Sequence, residues 1–380
     1  MKFVIAPDSF KESVRAGDVA SLVEAGFREV FPDADYILVP MADGGEGTVD
    51  AVTTVLGGRI KTVSVTDPLG RQIWASYGFV EDRQLAVIEM AAASGLELVA
   101  AAERDVARAS SFGTGELVRH ALDLGASHII LGVGGSATND AGAGALQALG
   151  IRFLDSLGQD LPPGGGSLSI LEHIDIRYMD PRLKNCKIEL ATDVTAPLLG
   201  PQGSSSVFGP QKGASAEIVE TLERSLQRFA VIANGDLGQD VSAILGGGAG
   251  GGLAAGFIAA LNAYVRPGWK VVADAVNLAS KIRGADLVIT GEGRTDGQSV
   301  MGKTPVGVSS IALEMGVPVV ILSGSLGAGA DQVLTSGVAG TFASVTRPCL
   351  LSEALAEAPW NIRSAARNIA AVLKLGASLA

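Results

Sequence analysis

The sequence has few of the residues that usually announce a metal centre or a redox site. Two cysteines, Cys186 and Cys349, stand far apart, and three histidines, His120, His128 and His173, follow no ligand spacing. Free buried thiols are therefore the preferred reading over a disulfide or a zinc site, and a His-based metal site is not expected. Basic residues are outnumbered, 29 Lys and Arg against 40 Asp and Glu, for a net charge of −11. That balance argues against a nucleic-acid or anionic-membrane partner, since both need a net-basic footprint. Any phosphate must then be met by local donors. The opening MKFVIAPDSFKES carries one Lys ahead of an apolar run too short for a signal peptide, and Asp8 arrives early, so a cytoplasmic protein is expected. The uncharged run from Val241 to Val265 imitates a membrane span, but glycine crowds it from Gly246 to Gly252. A Gly-rich turn followed by a helix over Leu253–Tyr264 is the better reading.

What is abundant is glycine, 50 residues in 380, in a chain 47% hydrophobic and 18% charged. Such a chain can bury a large core, and its length favours two domains. The glycines recur in one pattern: a short apolar strand, then a loop of glycine and acid, then an amphipathic helix. It appears after Ala6, Pro40, Leu131, Ala191 and Thr290. Near the start, strand, helix, strand and helix alternate from Phe3 to Leu56, which predicts a parallel sheet. After Gly57-Gly58 the pattern changes to an antiparallel meander over Lys61–Thr66, Gln72–Val80 and Gln84–Met90. The parallel sheet resumes through Asp286–Thr290, Pro318–Leu322 and Gly340–Ser344, with a helix expected over Val271–Ile282 and a closing one over Asn361–Leu375. In open α/β sheets ligands lie outside the carboxyl ends of the strands, so loops in those places are candidates for one site.

Two of the loops imitate nucleotide motifs. Gly297 to Thr304 fits G-x-x-x-x-G-K-[ST] letter for letter, yet six residues separate it from its strand and Pro305 follows directly, so it is read as a decoy. Gly132 to Ala137 satisfies G-x-G-x-x-[GA] after a strand, with a helix expected over Ala141–Leu149 and Asp155 near the ribose-binding spacing. That run supports an NAD-dependent oxidoreductase as a competing function, and a glycine turn packing a helix on a sheet as the plainer reading. A non-catalytic sugar-acid or nucleotide-binding protein is the third alternative. The loop Gly200–Gly213, with many small residues and the single base Lys212, reads as a mobile lid or a phosphate loop.

Taken together, the loops resemble those of the glycerate kinase family. The resemblance is carried by APDSFKES at Ala6–Ser13, VPMADGGEGT at Val39–Thr48, FGTGEL at Phe112–Leu117, and GVGGSATND at Gly132–Asp140. It continues with PLLGP and VFGPQKGA between Pro197 and Ala214, then VITGEGR, DGQ and GK from Val288 to Lys303. The chain departs from the family at Thr192–Ala196, where Cys-Asp-Val-Thr-Asn is more usual, and at Thr295, where Leu is. Asp67, Ala141 and Thr304 stand where Gly, Gly and Ala are common. The resemblance implies a Rossmann-like α/β domain built from both chain ends, residues 1–58 and 270–380. It also implies an inserted mixed α/β domain, residues 59–269, with the active site in the cleft between. The implied activity is transfer of the ATP γ-phosphate to D-glycerate with Mg²⁺, the 2-position favoured and the 3-position the alternative. A homo-oligomer is left open.

Phosphoryl transfer asks for amides, Lys or Arg on the phosphates, carboxylates on Mg²⁺, and an acid that takes the hydroxyl proton. Asp193 is the candidate base, from its strand-end place in a loop poor in charge, a turn or helix cap being its bland alternative. Lys11, Arg294 and Lys303 are candidates for phosphate or the glycerate carboxylate, Lys11 and Arg294 being grouped with Asp193 as catalytic. Asp8, Asp43, Glu46, Glu292 and Asp296 are candidate Mg²⁺ or hydroxyl contacts, with Glu292 and Asp296 put forward for the metal. Gly134, Gly135, Ser136, Thr138 and Asn139 would offer amides and hydroxyls to an anion at the head of a helix. Ser9, Gly44, Gly45, Gly291 and Gly293 complete the candidate binding loops.

Overall fold

Short apolar runs rich in Val, Ile and Leu form the strands of one parallel and one mixed sheet, and the carboxyl ends of their parallel strands carry the glycine loops. The computed structural model describes residues 1–379. They divide into two compact units: Met1–Asp43, Asp50–Gly57 and Trp269 onward form the first, and Gly44–Val49 with Gly58–Gly268 the second.

The first unit opens with β1 (Lys2–Ile5), the helix Ala16–Arg28 and β2 (Asp35–Leu38). The chain then builds the second unit with β3 (Arg59–Thr66), β4 (Gln72–Val80), β5 (Leu85–Glu89), β6 (His128–Gly132), β7 (Arg152–Leu154), β8 (His173–Asp175), β9 (Lys187–Ala191) and β10 (Tyr264–Arg266). It returns to the first through β11 (Leu287–Thr290), β12 (Arg294–Thr295), β13 (Val319–Ser323), β14 (Ser325–Leu326) and β15 (Val338–Ala343).

In the first unit the five-stranded sheet has the order β15-β13-β11-β1-β2, with every neighbouring pair parallel. Alternate residues point to opposite faces, as the two-residue period of a strand requires. Phe3, Ile5, Ile289 and Leu322 pack on one face with Val19, Val23 and Phe27 of the first helix and Ile362, Ala366 and Ile369 of the last. Ile321 faces the other way, against Val333 and Val338. The closing helix runs Leu351–Leu379, longer than expected, and passes through Pro359.

The second unit holds a six-stranded sheet of order β10-β9-β6-β5-β4-β3, antiparallel from β3 to β5 and parallel from β5 to β10. Ile88, Leu131 and Leu190 of its strands share one core with Leu117, Phe229 and Phe257 of its helices. Strands β7 and β8 form a separate antiparallel pair. Two departures from the expected elements trace to asparagines in the left-handed region. Asn262, at φ 52°, ends a helix at Leu261, and Tyr264–Arg266 becomes a strand beside β9. Asn277, at φ 53°, splits the expected Val271–Ile282 helix into Gly268–Ala275 and Leu278–Ile282. Asn visits this region more readily than most residues because its short side chain bonds locally. Among the described residues no helix is long and apolar enough to cross a membrane.

Helix Ala16–Arg28 packs so closely on the closing helix that a Cβ at Gly26 would lie 2.5 Å from the Arg363 carbonyl, whereas one at Gly17 meets nothing within 4 Å. Gly26→Ala is expected to lower unfolding free energy by roughly 1–3 kcal/mol through overpacking. Gly17→Ala is expected to raise it by up to about 1 kcal/mol. Urea melts of the two variants check this, and equal effects would refute the packing argument.

Candidate functional site

The strand order of the first unit reverses once, between β1 and β11, and the loops leaving a reversal point diverge to leave a crevice. Asp8 and Gly291 lead these two loops, joined by the Asp8 amide on the Gly291 carbonyl at 2.8 Å. Gly291 is required there, since a Cβ would sit 1.8 Å from the Leu322 carbonyl of the next strand. Gly293 lies against the backbone of Phe10 and Lys11, its would-be Cβ 3.4 Å from the Lys11 nitrogen.

Three charges gather beyond β1. The Asp8 carboxylate is buried and accepts hydrogen bonds from the Ser9 amide at 2.6 Å and the Thr304 hydroxyl at 2.7 Å. Burial, with Asp43 adding like charge, pushes its pKa up to about 7 despite those two donors. Lys11 is exposed, lies 3.5 Å from Asp43, and is raised chiefly by that carboxylate. The loop after β11 brings a second group. Glu292 accepts from Ser299 at 2.6 Å and Thr295 at 3.0 Å, and Lys303 lies 3.9 Å from its other oxygen. Burial raises the Glu292 pKa, with Ser299 and Lys303 opposing. Arg294, largely exposed, pairs with Asp296 at 3.3 Å, and Asp296 also takes the Gln298 amide.

The Gly297–Thr304 pattern does not sit as a phosphate loop. Strand β12 and a short turn over Ser299–Met301 separate β11 from the helix Thr304–Glu314, and Lys303 lies just outside that helix. Thr304, the last residue of that pattern and a departure from the family's usual Ala, fixes Asp8 through its hydroxyl.

In the second unit the loops at the carboxyl ends of β5, β6 and β9 enclose a cavity of about 530 Å³. Gly44, Gly45, Glu46, Gly134, Gly135 and Ser136 line it, together with Glu89 and Lys212. Lys212 is only 3% exposed and donates to the Ser136 hydroxyl at 2.8 Å and the Thr138 carbonyl at 2.7 Å. Sequence reasoning noticed Lys212 as the one base of its loop but had no signal that it is buried, and it missed Glu89, which accepts the Val49 amide at 2.9 Å.

Thr138 and Asn139 lie outside the lining of this cavity. Both are fully buried, Asn139 exchanging hydrogen bonds with Ser204 and Ser205 and Thr138 donating to the Gly250 carbonyl. The helix beyond starts only at Ala143, and its head is filled by Asp140, which accepts the amides of Gly142, Gly144 and Ser111. The G-x-G-x-x-A run therefore lacks the strand-to-helix step of a dinucleotide turn. Asp155 is spent on the amides of Leu157 and Gln159 in a tight turn after β7. Asp193, exposed beyond β9, accepts the Gly268 amide at 3.0 Å. Among the described residues no group of three or more His, Cys, Asp or Glu is arranged to hold a metal.

The family model for the glycerate kinase family matches residues 3–374. The chain is 49% identical over 376 residues to the glycerate 2-kinase of Escherichia coli (strain K12), covering 99% of each. It is 49% identical over 369 residues to a glycerate kinase of Halalkalibacterium halodurans, covering 97% of each. A crystal structure described as that of a "putative glycerate kinase 2" from Salmonella typhimurium LT2 shares 51% identity and a TM-score of 0.92, covering 100% of this chain and 99% of that one.

The raised pKa of Asp8 carries a stability consequence. Its carboxyl binds a proton more tightly when folded, at about 7, than at its ordinary 3.8. Its contribution to stability is complete below about pH 4 and is lost as the pH rises through about 7. Thermal melts at stepped pH across that window are expected to show the wild type losing stability relative to Asp8→Asn, and parallel curves would contradict it.

Proposed function

Because the chain belongs to the glycerate kinase family, we propose that it transfers the γ-phosphoryl group of ATP to D-glycerate, giving 2-phosphoglycerate and ADP. The observation that carries this reading is the group beyond β1: the buried Asp8 carboxylate with the exposed Lys11 and a second acid, Asp43, 3.5 Å from that lysine. In the reaction a glycerate hydroxyl oxygen bonds to the γ-phosphorus, the bond from that phosphorus to the bridging oxygen breaks with ADP leaving, and the hydroxyl proton passes to a base.

Asp193 is the proposed base. Asp8 is the competing one, favoured by its titration near the working pH, where a general base is most effective. Lys11 and Arg294 are exposed cations on short loops, suited to an anionic substrate, and the planar fork of Arg294 matches a carboxylate or a phosphoryl group. Lys303 and the amides around Gly291 and Gly293 add donors nearby. Ser9 and Asp43 hold Asp8 and Lys11 in place. Gly44, Gly45, Glu46, Gly134, Gly135 and Ser136 form the second binding region, and Thr138 and Asn139 support it from behind. Glu292 and Asp296 would hold Mg²⁺; they offer the hard oxygen donors it prefers, in the small number usual when phosphates and water complete the shell. When bound, Mg²⁺ neutralises charge developing on the phosphates. The partners are glycerate and ATP, with no nucleic acid or membrane, and a cytoplasmic setting belongs to the same proposal.

The test is ADP release in the presence of ATP, Mg²⁺ and D-glycerate. Glycerate-dependent release is expected from the wild type, and its absence would overturn the reading. Of Asp193→Asn and Asp8→Asn, the variant lacking the base is expected to lose about 10²–10⁴-fold in kcat. Near-normal kcat in Asp193→Asn would transfer the role to Asp8.

A further inference from the structure

The cavity of the second unit contains a feature that the kinase reading does not explain. Lys212 is buried, lines the cavity, and among the described residues has no carboxylate within ion-pair distance. A buried ammonium without a counter-charge is costly, and proteins keep one where a ligand compensates it. The acid whose charge acts on it, Asp140, already accepts from the amides of Ser111, Gly142 and Gly144 and from the Ser111 hydroxyl.

Lys212 has three hydrogens to donate, and two are directed to the Ser136 hydroxyl and the Thr138 carbonyl. The third is left for a ligand. On the same wall, the amides of Gly134, Gly135 and Ser136 donate to no backbone carbonyl among the described residues. Gly135, at φ 70°, gives this stretch the turn that bares successive amides. A buried cation and three adjacent amides are a donor set for a phosphate.

Size identifies the ligand. A cavity of about 530 Å³ lies in the range of pockets for drug-sized molecules, and a three-carbon acid would fill only a small part of it. Its apolar lining, including Leu96, Leu98, Val133 and Phe208, suits a heterocyclic base. Glu46, Glu89 and Glu97 share the wall, so a polyphosphate is better accepted there as its Mg²⁺ complex, which carries less negative charge. We propose that this cavity is the nucleotide site and that Lys212 is the residue that holds the phosphates. The proposal rests on the kinase reading, which calls for a nucleotide without assigning it a pocket. Burial also pushes the Lys212 pKa down to about 7, so an arriving anion draws the lysine to its charged form.

Hydrogen exchange of the wild-type protein with and without Mg²⁺-ADP tests the location, and calorimetry of Lys212→Met tests the residue. Added protection is expected in residues 132–138 and 208–213. Lys212→Met is expected to bind ADP at least about tenfold more weakly while binding adenosine as the wild type does, because only the phosphate contact is lost. A merely structural lysine would weaken both ligands alike. Protection confined to residues 8–11 and 291–303, or unchanged ADP affinity in a folded Lys212→Met, would overturn the proposal and spare the kinase reading. If Lys212→Met does not fold, the wild-type protection map decides alone. Failure of the wild type to bind ADP at all would instead overturn the kinase reading on which the proposal rests.

Discussion

Backbone approaches closer than any side chain allows hold the ends of the strands together in both units. A Cβ at Gly291 would lie 1.8 Å from the Leu322 carbonyl, and one at Gly251 would lie 1.9 Å from that of Thr138. At Gly132 the Gly44 carbonyl stands 2.3 Å from the same position, and at Gly165 the Asn139 carbonyl stands at 2.1 Å. Real Cβ atoms do not tolerate such distances, so the loops can lie this close only as glycine. The richness in glycine is therefore a condition of the architecture, because it brings loops from separate strands within hydrogen-bonding reach of one another.

That closeness removes water, and the removal of water gives the charged groups their character. Asp8 is lifted towards neutrality by burial and by Asp43, while its two hydrogen bonds pull the other way without winning. Lys212 is pushed the opposite way, as desolvation requires for a cation. Burial thus pushes an acid of the first unit, Asp8, up to about 7 and a lysine of the second, Lys212, down to about 7. Groups of that kind stabilise folds poorly, because a buried charge costs more than a few hydrogen bonds return. Such groups are candidates for chemistry and recognition, where a proton or an anion has to be accepted at neutral pH.

Much of this was legible in the chain. The alternation of short apolar runs with glycine and acid loops predicted the parallel strands, and the change of pattern after Gly58 marked the antiparallel β3–β5 meander. The loops around Asp8 and Glu292 stood out as candidates because acids, lysine and glycine crowd into a few residues there. The strand Tyr264–Arg266 escaped because three residues carry no periodic signal, and the break at Asn277 because an apolar stripe continues across it. Burial was the larger gap. Nothing local distinguishes Lys212, 3% exposed, from Lys11 on the surface, or the packed Thr138 and Asn139 from the Ser136 that lines the cavity. These differences arise from residues distant in sequence, such as Gly250 and Ser205, which close over the loop. The two nucleotide-like patterns failed for the same reason, since a motif fixes spacing while its setting is fixed by the strands and helices around it.

Phosphoryl transfer to glycerate is decided by phosphorus NMR of the purified protein with ATP, Mg²⁺ and D-glycerate. A 2-phosphoglycerate resonance is expected to grow in step with ADP and to be absent without glycerate. ADP formed without any phosphoglycerate, or no consumption of ATP at all, would contradict it.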